Sequence, residues 1–181
     1  MWLFVGDPAA LRYLDVGRIL RPLTAWRRER VRAVGPRVEL PAGVVVAPEH
    51  PVLHITAVAD PAALVAVRHR LAEWARGAGL DEEQVAAVVL AGYECLANVA
   101  DHAYAGKGTG TAVLQAVRAR DGAVHVVVTD HGRWRTPADD PGTRGHGLPL
   151  IRRLADTVEV TCTATGTTVH LAWTLSRVHD R

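Results

Sequence analysis

Residues 94–104 have the sequence Glu94-Cys-Leu-Ala-Asn98-Val-Ala-Asp101-His102-Ala-Tyr and form the second half of a predicted amphipathic helix. Four polar side chains recur at helical spacing, namely those of Glu94, Asn98, Asp101 and His102. They therefore share one face of the helix, turned away from most of its apolar side chains. A carboxylate and an amide oxygen on one face can position a hydrated Mg²⁺ and a nucleophile beside a phosphate, because Mg²⁺ prefers oxygen ligands and keeps most of its waters. An ordinary solvated helix face has the same spacing, so this motif alone does not identify a functional site.

A predicted strand ends on an acidic residue further along the chain. Residues 126–130, Val-Val-Val-Thr-Asp130, are apolar almost to the end, and Gly132 follows two residues later. A carboxylate at the end of a buried strand can accept a hydrogen bond from the amino group of a base. A nearby glycine lets the backbone pass close to a ring. The alternative is an Asp that only caps a turn.

Glycines precede the last predicted helix, in the segment Gly-Thr-Arg144-Gly145-His-Gly147-Leu148. Free backbone N–H groups and the positive end of the helix dipole favour phosphate at such a site, and Arg144 can add positive charge. No G-x-G-x-x-G opens a helix directly after a strand, so a Rossmann fold is not expected.

The remaining pattern predicts one domain of helices and strands. Asp81 is the predicted N-cap of the long helix, with Gln84 at the capping-box position, and the helix runs to about Tyr104. Strands are predicted at residues 52–58, 111–118, 123–129, 157–163 and 167–174, and further helices at 60–77 and 148–155. We therefore expect an α/β fold, a two-layer sandwich in which helices cover one face of a mixed, mostly antiparallel sheet.

The composition excludes several classes of enzyme. Ser176 is the only serine, which excludes a serine hydrolase with a nucleophile elbow. Lys107 is the only lysine, and the glycine that follows it stands where a P-loop needs Ser or Thr. C-x-x-C, H-E-x-x-H and EF-hand patterns are absent from the sequence, so zinc and calcium sites have no support. Cys95 is expected to face the core, without a catalytic role.

Charge divides the chain near residue 45. Residues 1–37 hold eight Arg against three acidic residues (8 − 3 = +5), whereas residues 38–181 hold 13 basic and 16 acidic residues (13 − 16 = −3). We expect a basic N-terminal extension at 1–45, partly helical or disordered, a domain at 46–176 and a tail at 177–181. A translation start assigned too far upstream is the alternative explanation for the extension.

Nothing in the sequence predicts a membrane protein or a secreted one. No apolar run is long enough to span a bilayer, and the first residues do not resemble a signal peptide. The two cysteines, Cys95 and Cys162, are expected to be reduced thiols. These features favour a cytoplasmic location.

Four motifs, in order, resemble the N, G1, G2 and G3 boxes of the Bergerat ATP-binding fold of gyrase, histidine kinases and anti-sigma serine kinases. They are Glu94/Asn98, Asp130/Gly132, Gly145/Gly147 and Gly166-Thr-Thr168. The sequence is most similar to the short bacterial anti-sigma regulatory factors of the serine-kinase type, over about residues 50–175. Residues 94–104, with their trailing His-x-Tyr, resemble the N box of that family, and residues 145–156 resemble its lid and following helix.

The resemblance implies a role for each of these residues. Glu94 would be the general base that activates the hydroxyl of a protein serine, and Asn98 would hold Mg²⁺ bridging the phosphates of ATP. Asp130 would bind the adenine amino group, and Gly132 would give the ring room. The nucleotide-binding set would be completed by Arg144, Gly145, Gly147, Leu148 and Thr168. The sequence departs from the family where the G1 box often ends on a further glycine, because Trp134 stands there.

The leading hypothesis is an ATP-dependent protein serine kinase that doubles as an anti-sigma factor. It would bind a sigma factor, phosphorylate an anti-anti-sigma antagonist and work as a homodimer, without direct contact to nucleic acid or membrane. The alternative is a regulatory module that holds ATP, or only a partner, and transfers no phosphate. Trp134 and a short lid leave that alternative open, whereas the presence of Glu94 and Asn98 argues against it. A histidine kinase is disfavoured because no His precedes His50 to accept phosphate.

Overall fold

The computed structural model describes residues 40–58, 60–104, 110–132 and 147–175. Most of the predicted extension and the whole predicted tail lie outside these ranges. The elements are β1 (Leu53–Val58), α1 (Pro61–Gly77), α2 (Glu82–Asn98), a π-helical segment (Val99–Ala103), β2 (Thr111–Arg118), β3 (Val124–Asp130), α3 (Gly147–Leu154), β4 (Thr157–Thr163) and β5 (Gly166–Trp173).

The five strands form one sheet in the order β1-β2-β3-β5-β4. All four pairings are antiparallel, with Leu114 of β2 opposite Ile55 on one side and Val128 on the other. Tight turns join β2 to β3 and β4 to β5, and such turns produce antiparallel neighbours. The predicted two-layer α/β sandwich is confirmed. A parallel pair, which a mixed sheet would include, does not occur among the described strands.

The core lies between the three α-helices and one face of the sheet. Side chains alternate along each strand, so Ile55, Leu114 and Leu171 all point to the helices and are at most 1% exposed. Helix α2 approaches both α1 and the sheet closely at Gly92, where a Cβ would lie 2.8 Å from Leu71 Cδ2. This close approach holds α2, the helix with the polar face, firmly against the sheet.

Helix α2 begins at the predicted capping box. The backbone N–H of Gln84 donates to Asp81 Oδ1 at 2.8 Å, and the N–H of Asp81 donates to Gln84 Oε1 at 3.0 Å. These bonds satisfy two of the N–H groups that a helix start leaves free. At its other end α2 continues into the π-helical segment and stops at Tyr104, as predicted.

The second face of the sheet carries hydrogen-bonded pairs of polar side chains. His125 Nδ1 lies 2.9 Å from His170 Nε2, and the two rings stack with their centroids 5.2 Å apart. Across β1 and β2, Gln115 Nε2 lies 3.0 Å from His54 Nδ1. Among the described helices, none combines the length and apolar character that crossing a bilayer requires.

Candidate functional site

An open cleft lies between the end of α2, the start of α3 and the strands β3 and β5. The cleft brings together three residues that the sequence singled out, Asn98, Asp130 and Leu148. Its remaining lining residues are Cys95, Val99, His102, Ala103, Val128, Ile151, Thr167 and Val169. The lining is mostly apolar with a few polar groups, which is typical of a small-molecule site.

Glu94 and Asn98 lie one turn apart on α2, and both are half-buried. Burial removes water from the Glu94 carboxylate, and together with the negative charge of Asp101 it raises the pKa of this group. A carboxylate with a raised pKa accepts a proton more readily near neutral pH. The neighbouring Cys95 is buried, which raises the pKa of its thiol to about 12 and keeps it protonated.

The first residue of α3 lies against the side chain of Asn98. A Cβ added to Gly147 would be 3.1 Å from Asn98 Oδ1 and 3.2 Å from Asn98 Nδ2, so a larger residue would press on the amide. The start of α3 and the amide of Asn98 therefore form one corner. Free N–H groups of a helix start and an amide oxygen at the same place suit an anion accompanied by a cation.

Asp130 ends β3 and is only 4% exposed. Its Oδ1 accepts a hydrogen bond from the backbone N–H of Gly132 at 2.7 Å. Burial raises the pKa of the Asp130 carboxyl, and the N–H groups of Gly132 and Thr167, with the nearby His131, partly offset this rise. Such a buried acceptor at the wall of a cleft suits a ligand that carries an N–H donor.

Two glycines allow the backbone to pack tightly around Asp130. A Cβ on Gly166 would overlap the carbonyl group of Asp130, and a Cβ on Gly132 would overlap the backbone of Ala103. The resemblance in the sequence implies that Gly132 leaves room for a ring. The described packing gives a second reason for glycine at this position, because the end of β3 meets the π-helical segment there.

The structure places Thr168 away from the cleft. Its hydroxyl lies 3.3 Å from the hydroxyl of Thr129, on the face of the sheet opposite the helices. The preceding residue, Thr167, lines the cleft and pairs with Asp130 in the strand register. Thr167 is 3% exposed, and its hydroxyl has no hydrogen-bond partner in the described parts of the chain. Of the two threonines, Thr167 therefore lines the cleft and Thr168 does not.

The alternation along β5 offered a signal for Thr167. Successive residues of a strand face opposite sides, so Thr167 shares a face with the core residues Val169 and Leu171, whereas Thr168 does not. Arg144 and Gly145 lie outside the described residues, as does Trp134. Within the ranges that are described, no group of three His, Cys, Asp or Glu side chains could hold a metal ion.

Known proteins are similar to this chain over the part that forms the sheet and its helices. A sequence profile described as a histidine kinase-like ATPase domain matches residues 57–173. A crystal structure of the RsbU and RsbW domains of Rv1364c from Mycobacterium tuberculosis is 34% identical over 70% of this chain, with a TM-score of 0.59. This chain spans 33% of that solved chain.

A second solved structure is more distant. The histidine kinase domain of the blue-light activated histidine kinase EL346 from Erythrobacter litoralis is 23% identical, with a TM-score of 0.47. The match covers 61% of this chain and 60% of that one.

Proposed function

Because the chain belongs to the histidine kinase-like ATPase domain family, we propose that it is an ATP-dependent protein serine kinase that also acts as an anti-sigma factor. In this proposal it transfers the γ-phosphate of ATP to a serine of an anti-anti-sigma antagonist and sequesters a sigma factor. The observation that carries the proposal is the single cleft that Asn98, Asp130 and Thr167 share, with Glu94 one turn from Asn98.

The base of ATP fits the inner end of the cleft. Asp130 offers a buried carboxylate that can accept a hydrogen bond from the amino group of adenine. Thr167 offers a buried hydroxyl without a partner in the described residues, and a ligand or a bridging water would satisfy it. The apolar side chains of Val128, Leu148 and Ile151 supply walls for a flat ring. We propose Thr167, in place of Thr168, as the threonine of this site.

The phosphates fit the corner formed by Asn98 and the start of α3. The N–H groups at the start of this helix favour negative charge, and Gly147 keeps the approach to the Asn98 amide free of a side chain. Asn98 would hold Mg²⁺ through Oδ1, with phosphate and water oxygens as the other ligands. When bound, the ion neutralises charge on the phosphates. In the proposal, Arg144 and Gly145 complete the site as part of the lid.

Glu94 is the proposed general base. The serine hydroxyl oxygen forms a bond to the γ-phosphorus while the bond from that phosphorus to the leaving oxygen of ADP breaks. The hydroxyl proton passes to the carboxylate of Glu94, whose raised pKa suits a proton acceptor. Because this chemistry depends mainly on positioning and charge neutralisation, a base one turn from the Mg²⁺ ligand is a suitable arrangement.

The proposed partners rest on similarity. The solved neighbour with 34% identity contains an RsbW domain, and the sequence motifs resemble those of the anti-sigma serine kinases. We propose that a sigma factor and an anti-anti-sigma antagonist are the protein partners, that the chain works as a homodimer, and that it acts in the cytoplasm. No contact with nucleic acid or membrane is part of the proposal.

Phosphoryl transfer tests the proposal with two matched variants. The wild-type chain is incubated with radiolabelled ATP, Mg²⁺ and each antagonist-type protein encoded in the same genome, and labelled serine is identified. Glu94→Gln should still bind ATP but lose transfer, whereas Glu83→Gln, exposed in the first turn of the same helix, should transfer normally. Label on no acceptor, despite ATP binding, would favour a non-catalytic regulatory module. Normal transfer by Glu94→Gln would remove this residue from the mechanism.

A further inference from the structure

The hydroxyl group of Tyr104 connects three segments of the chain. It donates a hydrogen bond to the carbonyl oxygen of Thr111 at 2.8 Å and accepts one from the backbone N–H of His131 at 3.1 Å. Tyr104 follows the π-helical segment, Thr111 begins β2, and His131 directly follows Asp130 at the end of β3. The Tyr104 hydroxyl therefore connects the end of the π-helical segment to the turn that follows Asp130.

The ring of Tyr104 is also held by close packing against Gly110. A Cβ built on Gly110 would fall inside this ring, so the ring lies directly on the backbone of Gly110. Near the other side of the turn, Gly132 packs on the backbone of Ala103, the residue before Tyr104. The two contacts leave the phenol and the turn little freedom to shift relative to each other.

Two consecutive N–H groups of the turn at residues 130–132 are held by side-chain oxygens. The N–H of His131 donates to the Tyr104 hydroxyl, and the N–H of Gly132 donates to Asp130 Oδ1. The second bond fixes the Asp130 carboxylate relative to the turn, and the first fixes the turn relative to β2 and the π-helical segment. The direction of the carboxylate in the cleft therefore depends on both bonds.

We propose that Tyr104 is a positioning residue for base recognition: through the His131 N–H it holds the turn that aims Asp130 at the amino group of the base. This inference rests on the proposed ATP site. Tyr104 itself does not line the cleft, so it acts through Asp130. The proposal predicts that loss of the phenol weakens recognition of the amino group and not binding of the nucleotide in general.

The experiment compares two nucleotides on the full chain with the variant Tyr104→Phe. Dissociation constants are measured by calorimetry for ATP and for purine riboside 5′-triphosphate, which lacks the 6-amino group. Tyr104→Phe should weaken ATP binding about tenfold, the loss of one well-placed hydrogen bond, and change binding of the second nucleotide by less than about twofold. The matched control is Tyr93→Phe, because Tyr93 lies on α2 beneath the Arg68 guanidinium, away from the cleft.

Other outcomes separate the inference from the function on which it rests. Equal loss of affinity for both nucleotides, or no change for either, would overturn the positioning role. A wild-type chain that binds neither nucleotide would instead remove the proposed ATP site. If Tyr104→Phe does not fold, Gly110→Ala provides the second variant, because it displaces the ring and retains the hydroxyl. It should reduce the preference for ATP in the same way, and an unchanged preference would overturn the proposal.

Discussion

Two carboxylates of the cleft region, the half-buried Glu94 and the buried Asp130, have raised pKa values for partly different reasons. Loss of water is the main cause for both. The charge of Asp101 raises the pKa of Glu94 further, whereas N–H donors from Gly132 and Thr167 hold that of Asp130 down. The environment of Glu94 favours a proton acceptor, whereas that of Asp130 favours a fixed hydrogen-bond acceptor. This difference agrees with the roles proposed for the two residues.

Replacing Asp101 should therefore change the pH dependence of phosphoryl transfer. In Asp101→Asn the negative charge near Glu94 is lost, so the pKa of Glu94 falls and the carboxylate stays ionised to lower pH. The acidic limb of the rate profile should shift toward lower pH, as measured by radiolabel transfer across a pH series. Glu83→Gln is the control and should leave the limb in place. A limb that does not move in Asp101→Asn would mean that Glu94 does not set it.

The neighbouring threonines Thr167 and Thr168 give a matched pair of variants. Thr167→Val removes a cleft hydroxyl that has no hydrogen-bond partner within the described residues, so ATP binding should weaken by about three- to tenfold, the value of one hydrogen bond. Thr168→Val changes the same chemistry on the opposite face of the sheet and should bind ATP normally. Calorimetric titration with ATP measures both constants. Weaker binding by Thr168→Val alone would restore the original prediction for that residue.

At the scale of elements, the pair formed by β3 and β5 carries the hydrogen-bonded histidines. Burial lowers the pKa of both His125 and His170 from 6.5. The charge of His170 adds to the lowering for His125, and the charge of Glu159 opposes it for His170. Below pH 6.5 these two histidines therefore bind protons in the unfolded chain, while in the folded chain they remain neutral to lower pH. Stability is fully present above pH 6.5 and falls as the pH drops from 6.5 toward the folded pKa values.

Urea unfolding at about pH 7.5 and about pH 5.5 measures this loss of stability. The double variant His125→Gln, His170→Gln should lose less stability between the two conditions than the wild type does. His50→Gln, which changes a histidine outside the sheet, should retain the wild-type difference. If the double variant showed the full difference, the pair would not be its cause.

The helix and strand bounds followed largely from local signals in the sequence. The capping box of Asp81 and Gln84 set the start of α2, and the Asp-Gly pair at 121–122 set a hairpin in which Gly122 has φ of 94°. The threonine motif by itself did not show which of Thr167 and Thr168 faces the cleft. The face follows from the alternation along the whole of β5, in which Thr167 lies on the same side as the core residues Val169 and Leu171.

At the scale of the whole molecule, the helices cover one face of the sheet, and the cleft lies between the helices and the interior strands β3 and β5. The motifs at residues 94–98, 130–132 and 147 come from distant parts of the chain, yet the fold brings them around this cleft. Their order along the chain was enough to predict the fold. The contacts of Tyr104 were not predicted, because they join three segments through backbone groups that have no signature in the sequence.

A thermal-shift titration of the full chain with ATP, with and without Mg²⁺, tests most directly whether this cleft binds ATP together with Mg²⁺. A ligand at ~100 times its Kd stabilises a protein by ~2.7 kcal/mol, which is readily seen in Tm. We expect a rise in Tm that requires Mg²⁺ in the wild type and is lost in Asn98→Ala. Unchanged Tm at millimolar ATP, with or without Mg²⁺, would contradict the account.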